Sequence, residues 1–221
     1  MDDAPRNVIT RLAYQKKDKE RVNVYLDGEY AFAVTELVAA GLHRGQQLGD
    51  AEIEALKDED TRNKAYNLAI RYLGYRPRSR YEVEQHLRKK EYAPDVIAEV
   101  IAKLEMRTYL DDRAFAAYWV ENRSQFRQKG VRALRYELRQ KGIDSAIIEE
   151  TTNEMNEEEL AWEAIQPKLR SWNRLEHPAF EKKVMGYLSR RGFGYAVARQ
   201  TSDRAWEKLG GDDHIVNWFD A

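Results

Sequence analysis

Cysteine is absent from the 221 residues, which excludes disulfides and thiolate metal sites and fits a reducing compartment, the cytoplasm. Proline and glycine are scarce, at 5 and 12, so long helices are expected rather than a many-turned β-sandwich. Long apolar runs are also missing. The longest uncharged apolar stretch, residues 114–120, falls far short of the roughly 20 residues that span a bilayer. The first 13 residues hold no apolar run of the signal-peptide kind, so neither export nor membrane insertion is expected. The 4 histidines, His43, His86, His177 and His214, are scattered, and none has HExxH-type metal spacing. No residue set supports catalysis, and no metal or cofactor is expected.

What is present is charge, 34% of the chain, with 43% apolar residues to build a core. The formal net charge of −1 hides a segregation. Residues 1–61 carry 8 Lys/Arg and 13 Asp/Glu, residues 62–141 carry 19 and 10, and residues 142–221 carry 10 and 15. A basic middle between acidic ends suggests an anionic or acidic partner at the middle, although a solvated helix surface clusters charge too.

Residues 8–14, 21–26 and 29–34 read as strands. Val22, Val24 and Leu26 alternate on one, and Tyr30, Phe32 and Val34 on another. Asp27-Gly28 between them is a two-residue hairpin turn of the type that accepts positive φ. Thr35 is a candidate cap for a short helix ending near Gly41, and Asp50 for another over residues 51–56. From about residue 60 the pattern is helical, and it repeats. SRYEVEQHLRKKEYAPDVIAEVI from Ser79, GVRALRYELRQKGIDSAIIEETT from Gly130 and FEKKVMGYLSRRGFGYAVARQTS from Phe180 align without gaps. Leu87, Leu138 and Leu188 coincide, as do Val83, Leu134 and Val184 four residues earlier.

Each stretch reads as a helix, a tight stop and a second helix starting near Pro94, Ser145 or Tyr195. Gly142 and Gly192 stand where a helix C-terminus needs a left-handed residue. Glu91 stands there in the first repeat, so that stop is expected to be looser or differently closed. A further helix precedes each pair, over residues 61–75, 112–125 and 157–172, with Asp111 or Asp112 as N-cap of the second. The expected fold is mainly α: three tandem three-helix repeats in an elongated array behind a small N-terminal β-hairpin/three-stranded β module. The modules are 1–59 (β, with short helices), 60–109, 110–154, 155–209 and an acidic tail, 210–221.

Basic residues carry the binding signal. Arg76, Arg78 and Arg80 form RPRSR at a helix entrance that Pro77 holds extended. Arg88, Lys89 and Lys90 close that helix. Arg123, Arg127 and Lys129 lead into the second repeat, where Arg132, Arg135 and Arg139 recur at i, i+3 and i+7. That stripe is rotated about 100° from Val131, Leu134 and Leu138, so basic surface and core packing coexist. The third repeat keeps Lys182, Lys183, Arg190 and Arg191. Lys89, Lys90, Lys141, Arg190 and Arg191 also lie at helix C-termini, where the dipole favours cations by about 0.3–1 kcal/mol each, so structure and binding both account for them. The Arg132/Arg135/Arg139 stripe has no such reason and is the first candidate for contact with phosphates or acidic side chains.

The segments RYLGYRPRSRYEVEQHLRKK (71–90), YLDDRAFAAYWVENR (109–123), KGVRALRYELRQKGID (129–144) and YLSRRGF (187–193) together resemble the RecX family, bacterial recombination regulators that act on the RecA recombinase. The resemblance covers about residues 62–206. The front part, ITRLAYQKKDKERVNVYLDGEYAFAV (9–34), is similar to the β-hairpin extension of a subset of that family. Glu91, where glycine is usual, is the clearest departure. The resemblance implies a non-enzymatic regulator, a monomer, that binds the RecA nucleoprotein filament and the single- and double-stranded DNA within it. It implies that the protein curbs RecA ATP hydrolysis, strand exchange and co-protease function, and so regulates DNA repair, recombination and the SOS response. By carry-over the contacts are Arg76, Arg78 and Arg80, then Arg123, then Arg132, Arg135 and Arg139. A stand-alone DNA-binding helical repeat acting independently of RecA is the other reading, against which the near-neutral total charge weighs.

Overall fold

The computed structural model describes residues 7–16 and 18–210; all of the expected acidic tail except Gly210 lies outside them. The chain opens with an antiparallel sheet of β1 (Ile9–Tyr14), β2 (Arg21–Leu26) and β3 (Glu29–Thr35), in the order β1-β2-β3. Asp27 and Gly28 both take positive φ, 51° and 93°, as the tight turn between β2 and β3 requires. Val22, Val24, Leu26, Phe32 and Val34 are buried on one face, against Val38, Ala39 and Leu48.

After α1 (Glu36–Ala39) comes α2, a single helix of 25 residues, Asp50–Gly74. Two helices are expected here, over residues 51–56 and 61–75; one helix runs through both ranges. The stretch 57–60 between those ranges is helical. Its Asp60 is turned inward, 3% exposed, and its carboxylate accepts from the Thr35 amide (2.6 Å), Arg21 (2.8 Å) and Lys64 (2.7 Å). A buried carboxylate with three donors is satisfied within the fold, so the helix continues past it. The cap also moves by one residue: Gly49 is the N-cap, its amide donating to Glu52 at 2.6 Å, and Asp50 is already helical.

The helices that follow are α3 (Arg80–Arg88), α4 (Pro94–Met106), α5 (Asp112–Arg127), α6 (Val131–Gln140), α7 (Ser145–Asn153), α8 (Glu157–Trp172), α9 (His177–Arg190) and α10 (Tyr195–Lys208). Asp111 rather than Asp112 caps α5, accepting from the amides of Arg113 (2.8 Å) and Ala114 (3.0 Å). Asp144 and Asn156 cap α7 and α8 in the same way.

The chain falls into two compact units, residues 1–78 with 83–110, and residues 79–82 with 111–221. The first has two cores: the sheet core, and a helical one of Ala65, Ala69, Val83, Leu87, Ile97, Val100, Ile101 and Leu104. The second also has two. One gathers Phe115, Ala116, Leu134, Leu138, Ile143 and Ile148; the other gathers Trp162, Ile165, Phe180, Val184, Leu188, Phe193 and Trp206. The leucines and valines that align in the repeat are all fully buried, which is why the repeat is visible in the sequence: each unit needs the same apolar wedge.

The stop after the second helix of each repeat closes in one way. Tyr92, Ile143 and Phe193 donate their amides back to Leu87, Leu138 and Leu188, at 3.4, 3.1 and 3.2 Å. Glu91 takes φ 63°, beside 72° for Gly142 and 87° for Gly192. The first stop is therefore not differently closed; it has the same geometry with a longer closing bond and a residue whose Cβ disfavours it.

Within the second unit the glycine stops are also docking points. A Cβ on Gly142 would stand 2.4 Å from Cβ of Tyr81, and one on Gly192 2.4 Å from Cβ of Ala133. The buried Ser79 hydroxyl donates to the Lys141 carbonyl at 2.6 Å, and the Gly130 amide donates to the Arg191 carbonyl at 3.0 Å. Ser79 and Gly130 are equivalent in the repeat, as are Lys141 and Arg191, so one joint is made twice.

Candidate cationic binding faces

In the first unit, the residues at the entrance of α3 are held by an aromatic stack. The Arg78 guanidinium lies 4.0 Å over the Tyr72 ring, which stacks on His86 at 4.0 Å and 4°. Burial, and then the charges of Lys90, Arg78 and Lys89, hold the His86 pKa below its ordinary value, so the imidazole is neutral near pH 7. Arg76 is half-buried and donates to the Pro77 carbonyl at 2.8 Å. Arg88 and Lys89, at the end of α3, are exposed.

In the second unit the cations of the second repeat divide into two kinds. Arg123 and Lys129 converge on Glu137 of α6, Arg123 at 2.9 Å, and the Trp119 indole N–H donates to the same carboxylate at 2.8 Å. The Arg123 guanidinium also lies 4.2 Å over the Trp119 ring, and Lys141 lies 5.1 Å from that ring while pairing with Glu82 at 2.7 Å. Burial pushes the Glu137 pKa up, but hydrogen bonds from Lys129, Arg123 and Trp119 outweigh it, and the carboxyl sits below the usual glutamate value. Arg123 and Lys129 thus tie α5 and the α5–α6 loop to α6.

The Arg132/Arg135/Arg139 stripe is not uniform. Arg135 is half-buried, with Nε donating to the Thr152 hydroxyl at 2.9 Å and a terminal nitrogen donating to the Asn153 side chain at 3.2 Å, so it fastens α6 to the end of α7. Arg132 and Arg139 are exposed and have no side-chain partner among the described residues. Helical spacing puts Tyr136, 61% exposed, between them on the same face. Arg80, Arg127, Lys182, Lys183 and Arg190 are exposed as well. The Arg127 carbonyl accepts from Arg191 at 2.6 Å, beside the Gly130–Arg191 joint.

Sequence reasoning missed Glu137 and Tyr136. The signal for Glu137 was available: it is the lone acid between residues 122 and 143, a stretch full of cations. Tyr136 passes for an ordinary surface residue until its neighbours are seen to be exposed. Among the described residues, no group of His, Asp and Glu side chains could hold a metal ion, and no helix is long and apolar enough to cross a membrane.

The same residues match known proteins throughout. The model of the RecX regulatory protein N-terminal domain matches residues 7–48, and the models of the first, second and third RecX three-helix domains match 65–104, 111–151 and 156–201. Regulatory protein RecX of Bacillus subtilis (strain 168) is 38% identical over 201 residues, which cover 89% of this chain and 76% of that protein. Regulatory protein RecX of Listeria monocytogenes is 33% identical over 207 residues, covering 91% and 77%. A crystal structure of regulatory protein RecX superposes with a TM-score of 0.72 at 30% identity, over 89% of this chain and 99% of the other. That of RecX from Lactobacillus salivarius has a TM-score of 0.61 at 26% identity, over 69% and 98%. With its sheet and all three helical repeats matched in order, the chain belongs to the RecX family of regulatory proteins.

Proposed function

We propose that this protein is a non-enzymatic, monomeric regulator that binds the cytoplasmic RecA nucleoprotein filament and modulates it, mostly by inhibiting ATP hydrolysis, strand exchange and co-protease action. The observation that carries the reading is membership of the RecX family across all four matched domains. The exposed cations Arg132 and Arg139, with Arg88, Lys89, Lys182, Lys183 and Arg190 on other helices, are the side chains available to phosphates or to acidic side chains of the filament. Arg123, Lys129 and Arg135 contribute chiefly by holding the second repeat together.

The test is the single-stranded-DNA-dependent ATPase of the cognate RecA, with and without this protein. Inhibition at stoichiometric concentration is expected, and its absence would sink the proposal. R132E/R139E should weaken inhibition about tenfold with helicity intact. If the protein binds DNA yet leaves the RecA ATPase untouched, it is a DNA-binding module independent of RecA.

A further inference from the structure

The outward face of the β1-β2-β3 sheet has no part in the reading above. The pairing register sets Arg11 opposite Tyr25 and Tyr25 opposite Tyr30, so these three side chains form one row across the sheet. A register slip between Val24 and Tyr25 leaves Ala31 as the extra residue of β3, and that slip turns Tyr30 out; regular alternation from the buried Phe32 would point it inward. A second slip, at Thr10, is locked: the Thr10 hydroxyl donates to the Tyr25 carbonyl at 3.2 Å and accepts from the Gly28 amide at 3.0 Å. Side-chain direction on this face is thus set by two bulges on either side of Tyr25.

The row presents flat π surfaces. The Arg11 guanidinium lies 3.8 Å over the Tyr25 ring, and Tyr30 meets Tyr25 edge-on at 6.0 Å and 77°. Arg11 is exposed and Tyr30 is 58% exposed. The next row is Ala13, Asn23 and Ala33, a low floor that leaves the platform open. Lys16 and Lys19 stand beyond it, in the β1–β2 turn.

Charge on this module is not balanced pair by pair. Asp27 accepts from the amides of Asn7 and Val8, Glu36 accepts from the Tyr14 hydroxyl, Asp18 accepts from the Glu20 amide, and Glu20 faces Arg71 at 3.8 Å. Glu29, Asp58 and Glu59 have no such partner among the described residues, and acids outnumber cations in residues 1–61. Arg11, Lys16 and Lys19 have no carboxylate partner among the described residues.

We propose that this sheet face is a second binding surface, for single-stranded nucleic acid: bases stack on Tyr30 and on the Arg11 guanidinium, and the backbone is drawn by Lys16 and Lys19. A duplex keeps its base faces inside the stack and offers the platform nothing. The site shares no residue with the cations of α6, and its test needs no RecA, so its failure is distinct from failure of the filament reading.

The experiment is fluorescence anisotropy of the full chain with labelled oligothymidylate and, in a second arm, oligouridylate, each of about 20 nucleotides, and with a duplex as control, across a salt series. Y30A should weaken single-strand binding about fivefold or more without changing the salt slope, because a lost stack releases no counterions. R11K, which keeps the charge and loses the plane, should do the same. Y30F and duplex binding should stay at wild-type level. An effect in one arm alone assigns the strand as DNA or RNA. Circular dichroism checks folding, and if Y30A does not fold, R11K decides. The proposal is overturned if the wild type does not bind either oligonucleotide, if R11K and a folded Y30A bind as wild type does, or if Y30F loses as much as Y30A. It is overturned too if Y30A spares oligonucleotide binding but impairs action on RecA, which would make the face a protein contact.

Discussion

The first helix stop and the two later ones share a backbone but not a residue. Glu91, Gly142 and Gly192 all lie in the left-handed region, and the same amide-to-carbonyl bond closes each turn. Glycine at the second and third is required twice over, by positive φ and by a helix start seated where a Cβ would be, Tyr81 on Gly142 and Ala133 on Gly192. Glu91 is exposed, and the described segment ahead of its repeat is the sheet module rather than another repeat. Positive φ alone disfavours a non-glycine residue by roughly 1–2 kcal/mol, which a fold can carry; a backbone-tight joint leaves no such room. The difference shows that the glycine of this repeat belongs to the joint between neighbours as much as to the helix stop.

The comparison can be broken most forcefully at the joint. G192A should destabilise the protein by about 3 kcal/mol or more, since the new methyl meets the Ala133 side chain and backbone and the backbone keeps its positive φ; urea unfolding measures it. G130A, whose Cβ would stand 2.5 Å from the Gly192 carbonyl carbon, tests the same joint from its other side and should cost about 2–3 kcal/mol. If either is neutral, the joint does not constrain these positions.

S79A is milder. It removes the 2.6 Å bond to the Lys141 carbonyl and the cap on the Glu82 amide, for a loss of about 1–2 kcal/mol in the same assay. E137Q takes the charge from the junction of Arg123, Lys129 and Trp119 and should cost about 1–2 kcal/mol, the side chains being partly exposed to solvent. It also has a pH signature. The folded Glu137 carboxyl is more acidic than the unfolded one, so its stabilisation is fully present above the ordinary glutamate range. It fades as pH falls through that range to the lower folded pKa. A wild-type-minus-E137Q difference in unfolding free energy that does not shrink on acidification would remove Glu137 from this role. The smallest effect is expected at the first stop: E91G should stabilise by about 0.5–1 kcal/mol, relief of the left-handed strain exceeding the entropy glycine adds to the unfolded chain.

Much of the helical region was legible because its pattern is set locally. The starts of α4, α7 and α10 fall at Pro94, Ser145 and Tyr195, where the repeat and its turn residues put them. The continuity of α2 was not legible. The pattern turns helical only from about residue 60, and the Thr35 amide and Arg21 on the sheet engage Asp60 where one helix crosses that point. The candidate site was legible as a list of cations but not as a division among them. Arg132, Arg135 and Arg139 look alike at i, i+3 and i+7, yet Thr152 and Asn153, on the following helix, engage only Arg135.

The sequence by itself determined the three-fold helical repeat, the sheet ahead of it and the surplus of positive charge at the middle. Those follow from periodicity, turn residues and composition, each contained within a few turns of chain. Tertiary structure decided which charges are available. A cation is internal or exposed according to whether a residue distant in sequence, such as Glu137 for Arg123, reaches it, and no local pattern carries that information. It also decided why Gly142 and Gly192 are glycines, since the atoms that exclude a side chain there belong to another repeat.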